Sequence, residues 1–180
     1  MLLLHDFIDI GLLPSLIDIA KFEVGNCKLK NIPNQSFNYM DQLYSKHPSM
    51  KCLIGKCKDY IRKTFSELDI EVKGAWFNIC TDITIFNFHT HDTYLSSVFY
   101  LSNCLNQGTL FKIGNCEFQL QGVRDNSILF FEPNIMHSIP PYCGLDRISL
   151  GIDYNVISSN LETQKYIKKI LLEGYQGLSY

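Results

Sequence analysis

The chain has 180 residues, of which 46% are apolar and 13% aromatic. This length fits one compact domain, and the apolar content is enough to bury a core, which excludes an intrinsically disordered protein. The formal net charge of −2 gives no overall positive field, so we expect no nucleic-acid partner and no attraction to an anionic membrane. A small-molecule or peptidic substrate is the expected partner, and the sequence leaves the oligomeric state open.

The seven cysteines are an odd number and include no CxxC pair. Disulfide frameworks of secreted proteins usually contain an even number in a shorter chain, so free and mostly buried thiols in a reducing cytosol fit better. The apolar start at residues 1–4 is interrupted by His5 and Asp6, without a preceding basic segment. No stretch has the ~20 apolar residues that span a bilayer. We therefore expect a cytoplasmic protein without a membrane segment.

The first part of the chain is predicted to be a helical support region, residues 1–70. Residues 1–34 are short apolar pieces punctuated by prolines and have no clear assignment. From residue 50 to 68, apolar residues recur at spacings of three and four, which is typical of an amphipathic helix. Its opposite face carries five basic residues, which we interpret as a solvated surface rather than a phosphate-binding patch.

After Gly74 the pattern changes to aromatic and β-branched runs of strand length. The predicted strands are 76–79, 83–91, 95–101, 110–113, 117–120, 127–131 and 147–154. Gly114-Asn115 is a plausible hairpin turn, and Ser159 with Glu162 forms a capping-box pair that predicts a C-terminal helix over 159–175. Successive strands without intervening helices favour a sandwich or jelly roll over a parallel sheet.

Three of the five histidines lie in this strand-rich half. His89 and His91 are two residues apart, and residues at that spacing on a strand project from the same face, whereas Thr90 and Asp92 turn away. His137 follows an apolar strand and can supply a third ligand. Such a set leaves positions open for substrate and oxygen, so it predicts a metal centre without naming a reaction. Each histidine taken alone has an ordinary structural alternative in the core or at the surface.

Arg147 lies ten residues after His137 and begins the last predicted strand. Alternation places Ile148, Leu150 and Ile152 on one face, and Arg147, Ser149 and Gly151 on the other. If the apolar face packs against a helix, the guanidinium points into the barrel, where it is costly unless an anion meets it. A dicarboxylate that also chelates the metal would match its planar fork. The alternative is an arginine paired with a protein carboxylate at the rim.

Several segments in the second half of the chain form a recognisable series. They are Trp76-Phe77-Asn78, His89-Thr90-His91-Asp92, Ser96-Ser97-Val98-Phe99-Tyr100-Leu101, Asn126-Ser127-Ile128-Leu129-Phe130-Phe131-Glu132-Pro133, His137-Ser138-Ile139-Pro140-Pro141 and Arg147-Ile148-Ser149. In order and spacing, this series resembles the small bacterial and viral 2-oxoglutarate/iron(II) oxygenases with a prolyl-hydroxylase-like fold. The match covers residues 76–154, and its specificity comes from the whole series rather than from any one segment.

The resemblance implies a single oxygenase domain over residues 1–180. Its mainly β core at 74–154 would be a double-stranded β-helix, or jelly roll, with supporting helices at both ends. The implied iron(II) ligands are His89, His91 and His137. Arg147 would bind the distal carboxylate of 2-oxoglutarate, and Tyr100 matches an aromatic residue that offers its phenol to the same carboxylate. Ser149 is a further candidate for that contact, whereas Trp76 and Asn78 match the family without an assigned role.

The implied reaction consumes molecular oxygen and 2-oxoglutarate, releases succinate and carbon dioxide, and hydroxylates a C–H bond of a peptide side chain or small metabolite. Three features depart from the family pattern. Position 91 is histidine where the broader superfamily has aspartate, and a neutral third ligand leaves more positive charge on the iron. Asp92 is one residue out of register unless a bulge rescues it. Asp92 and Phe99 also replace the usual Pro and Tyr.

Two other functions are compatible with the same residues. A cupin-like dioxygenase, for example a thiol dioxygenase, would use the three histidines without 2-oxoglutarate. A sandwich that serves only for binding, with or without metal, would show no turnover of 2-oxoglutarate. The sequence does not identify the prime substrate.

Overall fold

A computed structural model describes residues 1–27, 35–36, 46–65, 69–80, 87–103, 106–140 and 147–157, together with Lys165 and Lys169. Two α-helices lie in these ranges, α1 (Leu13–Asn26) and α2 (Pro48–Thr64). Their eight strands are β1 (Leu2–Leu4), β2 (Ile70–Cys80), β3 (Leu95–Ser102), β4 (Gln107–Ile113), β5 (Cys116–Gln121), β6 (Ser127–Phe131), β7 (Met136–Ser138) and β8 (Arg147–Val156). In this described part of the chain, neither helix is long and apolar enough to cross a membrane.

The strands form two antiparallel sheets. The larger sheet has the order β1-β6-β3-β8-β2, and the smaller one has the order β5-β4-β7. Most neighbours in these sheets are distant in sequence, for example β2 and β8, which pair along their whole length. This arrangement confirms the predicted jelly roll, in which strands alternate between two facing sheets.

One face of the larger sheet packs against the helices. Ile148, Leu150 and Ile152 of β8 belong to a buried cluster with the inner faces of α1 and α2. The amphipathic pattern predicted this helix face, which buries Met50, Leu53, Ile54, Cys57 and Ile61. The apolar face of β8 therefore rests on helices, as alternation predicted, and its other face is turned towards the space between the sheets.

A second buried cluster fills part of the space between the two sheets. Tyr100, Leu129 and Phe131 reach it from the larger sheet, and Phe111 and Leu120 reach it from the smaller one. Aromatic rings dominate this cluster, and the ring of Phe111 lies 5.4 Å from that of Phe131 in an edge-on arrangement. The cluster fixes the spacing of the sheets at one end and leaves the other end open.

The structure confirms most of the predicted elements. The helix ends at Thr64, and residues 66–68 of its predicted range lie outside the described part. The predicted strands at 95–101, 110–113, 117–120, 127–131 and 147–154 are all present. Gly114 adopts a positive φ of 60° between β4 and β5, which a hairpin turn at this position requires.

The predicted strand at 83–91 needs correction. Residues 81–86 lie outside the described part, and residues 87–91 form no continuous strand; His89 makes only an isolated bridge to His137. The support region is also not purely helical, because β1 adds to the edge of the larger sheet beside β6. Of the predicted helix at 159–175, only Lys165 and Lys169 are described, both helical, and the rest lies outside.

Candidate metal and co-substrate site

Backbone hydrogen bonds bring the three predicted histidines together. The N–H of His89 donates to the carbonyl of His137 at 3.0 Å, and the N–H of His137 donates back to His89 at 3.0 Å. The N–H of His91 donates to Pro133 at 3.0 Å. The alternation that places His89 and His91 on one face therefore holds, although the segment pairs through single bridges rather than a full ladder.

The side chains of His89, His91 and His137 converge. Each offers one ring nitrogen, and these nitrogens all lie within 4.8 Å of one another. Among the described residues, no other group of histidine, cysteine or acidic side chains meets in this way. His137 is buried, His91 is partly buried and His89 is exposed. The three-histidine cluster therefore faces the open end of the space between the sheets.

The hydrogen bonds of the other ring nitrogens fix the tautomers. The Nδ1 of His89 bonds to the carbonyl of Asn87 at 2.9 Å, that of His137 bonds to Ile135 at 2.9 Å, and that of His91 bonds to Asp153 Oδ2 at 2.7 Å. Carbonyl and carboxylate oxygens only accept, so each Nδ1 must carry the proton. Each neutral ring then presents an unprotonated Nε2. The Nε2 of His91 is buried without a hydrogen-bond partner, as expected of a nitrogen that serves to coordinate a metal ion.

Burial keeps His137 neutral. The pKa of His137 is lowered from 6.5 to about 4, mainly by desolvation and to a smaller extent by the other two histidines, against raising contributions from the Ile135 carbonyl and from Asp153. A buried imidazole that resists protonation at neutral pH retains its lone pair for a metal ion.

Trp76 forms the wall behind His91. The two rings are stacked, with centroids 5.2 Å apart and an interplanar angle of 13°. Gly151 on the neighbouring strand makes room for the indole, since a Cβ atom there would lie 2.6 Å from Trp76 Cε2. Trp76 and Gly151 are paired across β2 and β8. The sequence left the role of Trp76 unassigned, and the structure places it against a candidate ligand.

We predict that Gly151→Ala destabilises the ligand-free protein by about 1–3 kcal/mol, the usual cost of overpacking. The added methyl group must displace the indole, which is ring-shaped and cannot bend away, and His91 would shift with it. Denaturant unfolding with and without a divalent metal measures both effects. Gly55→Ala is the matched control, because it lies in α2 with open space around it and should stabilise by about 0.5–1 kcal/mol. Equal stability of Gly151→Ala and wild type would contradict the packing argument.

Arg147 is almost completely buried, with 4% of its surface exposed. Its Nη1 lies 3.7 Å from the Sγ of Cys80, and its guanidinium lies 5.2 Å from the centre of the Tyr100 ring. Its Nε has no hydrogen-bond partner, and no carboxylate of the described residues pairs with it. A desolvated cation without a counter-ion is costly. This geometry fits an anion-binding arginine better than the rim ion pair considered as the alternative.

The ring of Tyr100 packs against the guanidinium of Arg147. Its hydroxyl lies 2.8 Å from Thr109 Oγ1 and accepts the backbone N–H of Thr109 at 3.0 Å. Thr109 lines the pocket, as does Ser149, which is buried on β8. Tyr100 itself is fully buried and is not among the residues that line the pocket, so the predicted contact of its phenol with a carboxylate stays a prediction, whereas the Thr109 hydroxyl belongs to a lining residue.

The three histidines and Arg147 line one open pocket, whose space measures about 500 Å³ when the solvent at its mouth is included. Its walls combine polar side chains with a few apolar ones. The large apolar residues are Trp76, Val98, Phe131 and Ile139. Asn78, whose role the sequence left open, lies at the pocket edge and accepts a hydrogen bond from Gln35 Nε2 at 3.0 Å. The pocket thus joins a potential metal centre to a potential anion site.

Asp153 is the main residue that sequence reasoning missed. It follows Arg147, Ser149 and Gly151 on the inward face of β8, so the alternation that found those residues also predicts its direction. Asp92, the alternative second ligand, is exposed and does not belong to the cluster. The carboxylate at the site therefore comes from β8 rather than from the segment that carries His91.

Comparisons with known proteins show a similarity of fold. No family model matches the chain, and no curated protein sequence does. Among solved structures, the chain is similar to HygX from Streptomyces hygroscopicus with nickel and 2-oxoglutarate bound, at 12% identity and a TM-score of 0.65, over 86% of this chain and 82% of that one. It is also similar to a Pseudomonas putida prolyl-4-hydroxylase, at 15% identity and a TM-score of 0.61, over 87% and 92%.

A third similar structure is the viral collagen prolyl hydroxylase from Paramecium Bursaria Chlorella virus-1, at 12% identity and a TM-score of 0.61, over 87% of this chain and 89% of that one. At this level of identity the comparisons establish a shared fold. The chain has the double-stranded β-helix of these proteins, and its candidate site consists of three convergent imidazoles and a buried guanidinium in one pocket.

Proposed function

We propose that this protein is an iron(II)- and 2-oxoglutarate-dependent oxygenase that hydroxylates a C–H bond of its substrate. The observation that carries the proposal is the presence, in one pocket, of three convergent imidazoles and a buried guanidinium that has no carboxylate partner among the residues the structure describes. The first feature calls for a cation and the second for an anion. A metal-chelating dicarboxylate satisfies both at once.

The donor set fits iron(II). His89, His91 and His137 would hold the ion through their unprotonated Nε2 atoms, and imidazole is a good ligand for iron. Three protein ligands leave coordination positions for other molecules. When bound, iron(II) supplies the redox chemistry by which one O₂ converts 2-oxoglutarate to succinate and carbon dioxide and places one oxygen atom in a C–H bond of the substrate.

The residues of the pocket would bind and orient the co-substrate. Arg147 is suited to the distal carboxylate, because its planar fork can donate two parallel hydrogen bonds to two oxygens. Thr109 and Ser149 lie where hydroxyl groups can add to this contact, and Tyr100 holds both Arg147 and Thr109 in place. Trp76 shields His91 from water on one side.

The prime substrate is proposed to be a small molecule or a peptide side chain. The pocket is open at one end and is lined by hydroxyl and apolar groups, with no carboxylate among the described residues other than Asp153. Among the similar proteins, one HygX structure holds hygromycin B, and others are prolyl hydroxylases. We also propose a reducing, cytoplasmic location, which suits the five free thiols of the described residues; only Cys57 and Cys80 among them are buried, whereas the sequence predicted mostly buried thiols.

Formation of succinate tests the proposal. Purified protein given iron(II), ascorbate, oxygen and 2-oxoglutarate should release succinate slowly even without a prime substrate, and faster when the correct substrate is added. Omission of iron or replacement of His91 by alanine should remove this activity. Succinate should be measured by mass spectrometry with labelled 2-oxoglutarate, so that contaminating metabolites do not contribute.

The same assay separates the proposed function from its rivals. A thiol dioxygenase would consume oxygen with iron and a thiol but would form no succinate, and a binding protein would do neither. Iron-loaded protein that binds no 2-oxoglutarate and forms no succinate would therefore contradict the proposal.

A further inference from the structure

We propose that Asp153 is a positioning residue that holds His91 in its metal-binding tautomer and supplies the negative charge missing from the three-histidine ligand set. The role rests on the proposed metal site and goes beyond it, because Asp153 is not one of the three side chains that converge there.

The contacts of Asp153 leave little freedom to its carboxylate. Oδ2 accepts the Nδ1–H of His91 at 2.7 Å, and Oδ1 accepts the hydroxyl of Ser96 at 2.6 Å. Asp153 is 7% exposed, and in the described part of the chain its one ionic partner is His91. Ser96 faces it from the adjacent strand β3, in register with Asp153. Both oxygens are thus used to fix one geometry.

This geometry determines which nitrogen of His91 is available. A carboxylate cannot donate, so it selects the tautomer with the proton on Nδ1 and leaves Nε2 as a lone pair. That Nε2 is the buried, unpartnered atom of the cluster. His89 and His137 have their tautomers fixed by neutral backbone carbonyls. His91 alone among the three is fixed by a charged group, and a charge-assisted hydrogen bond is the stronger one.

The negative charge of Asp153 would partly compensate the positive charge that three neutral ligands leave on the metal ion. Three neutral imidazoles leave both positive charges on a divalent ion, whereas a set with one carboxylate leaves one. A carboxylate hydrogen-bonded to the far side of a ligating imidazole raises the basicity of that ligand. It also places a negative charge one ring away from the ion in a poorly hydrated site, where charges interact more strongly than in water. Asp153 thereby offsets the replacement of a direct carboxylate ligand by His91.

A face of the His91 ring is covered by a second side chain of the site. Trp76 stacks on it at 5.2 Å, and Gly151, two residues before Asp153 on the same strand, accommodates the indole. One strand therefore supplies both the carboxylate at the edge of the imidazole and the space for the ring that covers it.

Metal affinity of two variants tests the inference. Asp153→Asn preserves the shape and can still accept from Nδ1, but it lacks the charge; Ser96→Ala keeps the charge but frees one carboxylate oxygen. Anaerobic titration with cobalt(II), read from its ligand-field absorption and from competition with a chelator, should show about 10- to 100-fold weaker binding for Asp153→Asn, as is typical for outer partners of metal ligands. Ser96→Ala should show a smaller loss.

Asp92→Asn is the matched control, because it removes an exposed carboxylate next to His91 in sequence, and its cobalt(II) affinity should equal that of wild type. The melting temperature of each metal-free variant separates a loss of metal affinity from a loss of folding. Equal cobalt(II) affinity of folded Asp153→Asn and wild type would overturn the inference while leaving the proposed function standing. Wild-type protein that binds no divalent ion would overturn both.

A measurement on unmodified protein covers the case in which Asp153→Asn does not fold. Long-range proton–nitrogen NMR correlations report the tautomer of each imidazole, and the chain has five histidines to assign. We expect metal-free His91 to carry its proton on Nδ1. A His91 ring protonated on Nε2 would overturn the inference, because that tautomer cannot donate to Asp153.

Discussion

His137→Ala and His91→Ala should each weaken iron(II) binding by far more than the roughly 10- to 100-fold expected for loss of an outer partner. Each change removes one of three ligands, and the remaining two imidazoles cannot hold the ion in a defined geometry. The loss should be largest for His137, because it is the buried member of the cluster and leaves a cavity beside Phe131 and Phe111. Succinate formation should disappear with the metal.

Stability with and without metal is the sharpest measurement, since it provides its own control for folding. An ion that binds only the folded state at 100 times its dissociation constant stabilises by about 2.7 kcal/mol. Wild type should gain this stability on addition of iron(II) under anaerobic conditions, and the two variants should not. His47→Ala is the matched control, because His47 pairs with Glu23 at the start of α2, away from the cluster. A full gain of stability in His137→Ala would contradict its assignment as a ligand.

The sequence predicted the parts of the site that follow from strand alternation. The spacing of His89 and His91 and the two faces of β8 are local properties, and the structure brings the three histidines and Arg147 into one pocket. Alternation is reliable here because one face of β8 is buried against helices and the other lines the pocket, so a shift of one residue would exchange them. The number of strands and the lack of helices between them favoured a sandwich or a jelly roll, and the resemblance to the oxygenase family selected the jelly roll.

Other parts depended on contacts between residues distant in sequence. The strand at Leu2–Leu4 forms because it pairs with β6 more than a hundred residues later, and three apolar residues carry no period that could predict it. A glycine is needed at position 151 because the indole of Trp76, on another strand, fills the space that a Cβ atom would occupy. The predicted strand at 83–91 was wrong in its described part. The backbone of His89 pairs with His137, whereas the N–H of His91 donates to Pro133, so no continuous ladder forms.

The same distinction applies to the two carboxylates, Asp92 and Asp153. Proximity in sequence to His91 points to Asp92, but residue 92 lies outside the pocket and is exposed. The carboxylate that reaches the ring lies 62 residues later. Pairing of β3 with β8 brings the two together, and only the order of strands in the sheet contains that information.

Arg147→Met should strongly weaken the binding of 2-oxoglutarate to the iron-loaded protein, and Arg147→Lys should weaken it less. Removing one partner of a buried charge pair costs about 2–5 kcal/mol, which corresponds to an increase in Kd of about 30-fold or more at 1.4 kcal/mol per tenfold. Lysine keeps the charge but loses the planar fork that matches two carboxylate oxygens. Anaerobic titration of 2-oxoglutarate, followed by the visible charge-transfer absorption of its iron complex, gives the Kd. Arg124 is an exposed arginine paired with Asp6, so Arg124→Met is the control and should bind 2-oxoglutarate like wild type.

Arg147→Met should lose affinity for 2-oxoglutarate without losing folding stability. In the ligand-free protein the guanidinium of Arg147 is desolvated, with Nε unpartnered and a thiol as its neighbour. Replacing such a charge by an apolar side chain of similar length is often neutral or stabilising. Arg147→Met should therefore unfold at the same or a higher denaturant concentration than wild type while losing 2-oxoglutarate. An arginine that served the fold would show the reverse: a less stable Arg147→Met protein that still bound the co-substrate would reject its assignment to the carboxylate. Loss of binding without loss of stability is the result that only an arginine kept for its ligand can give.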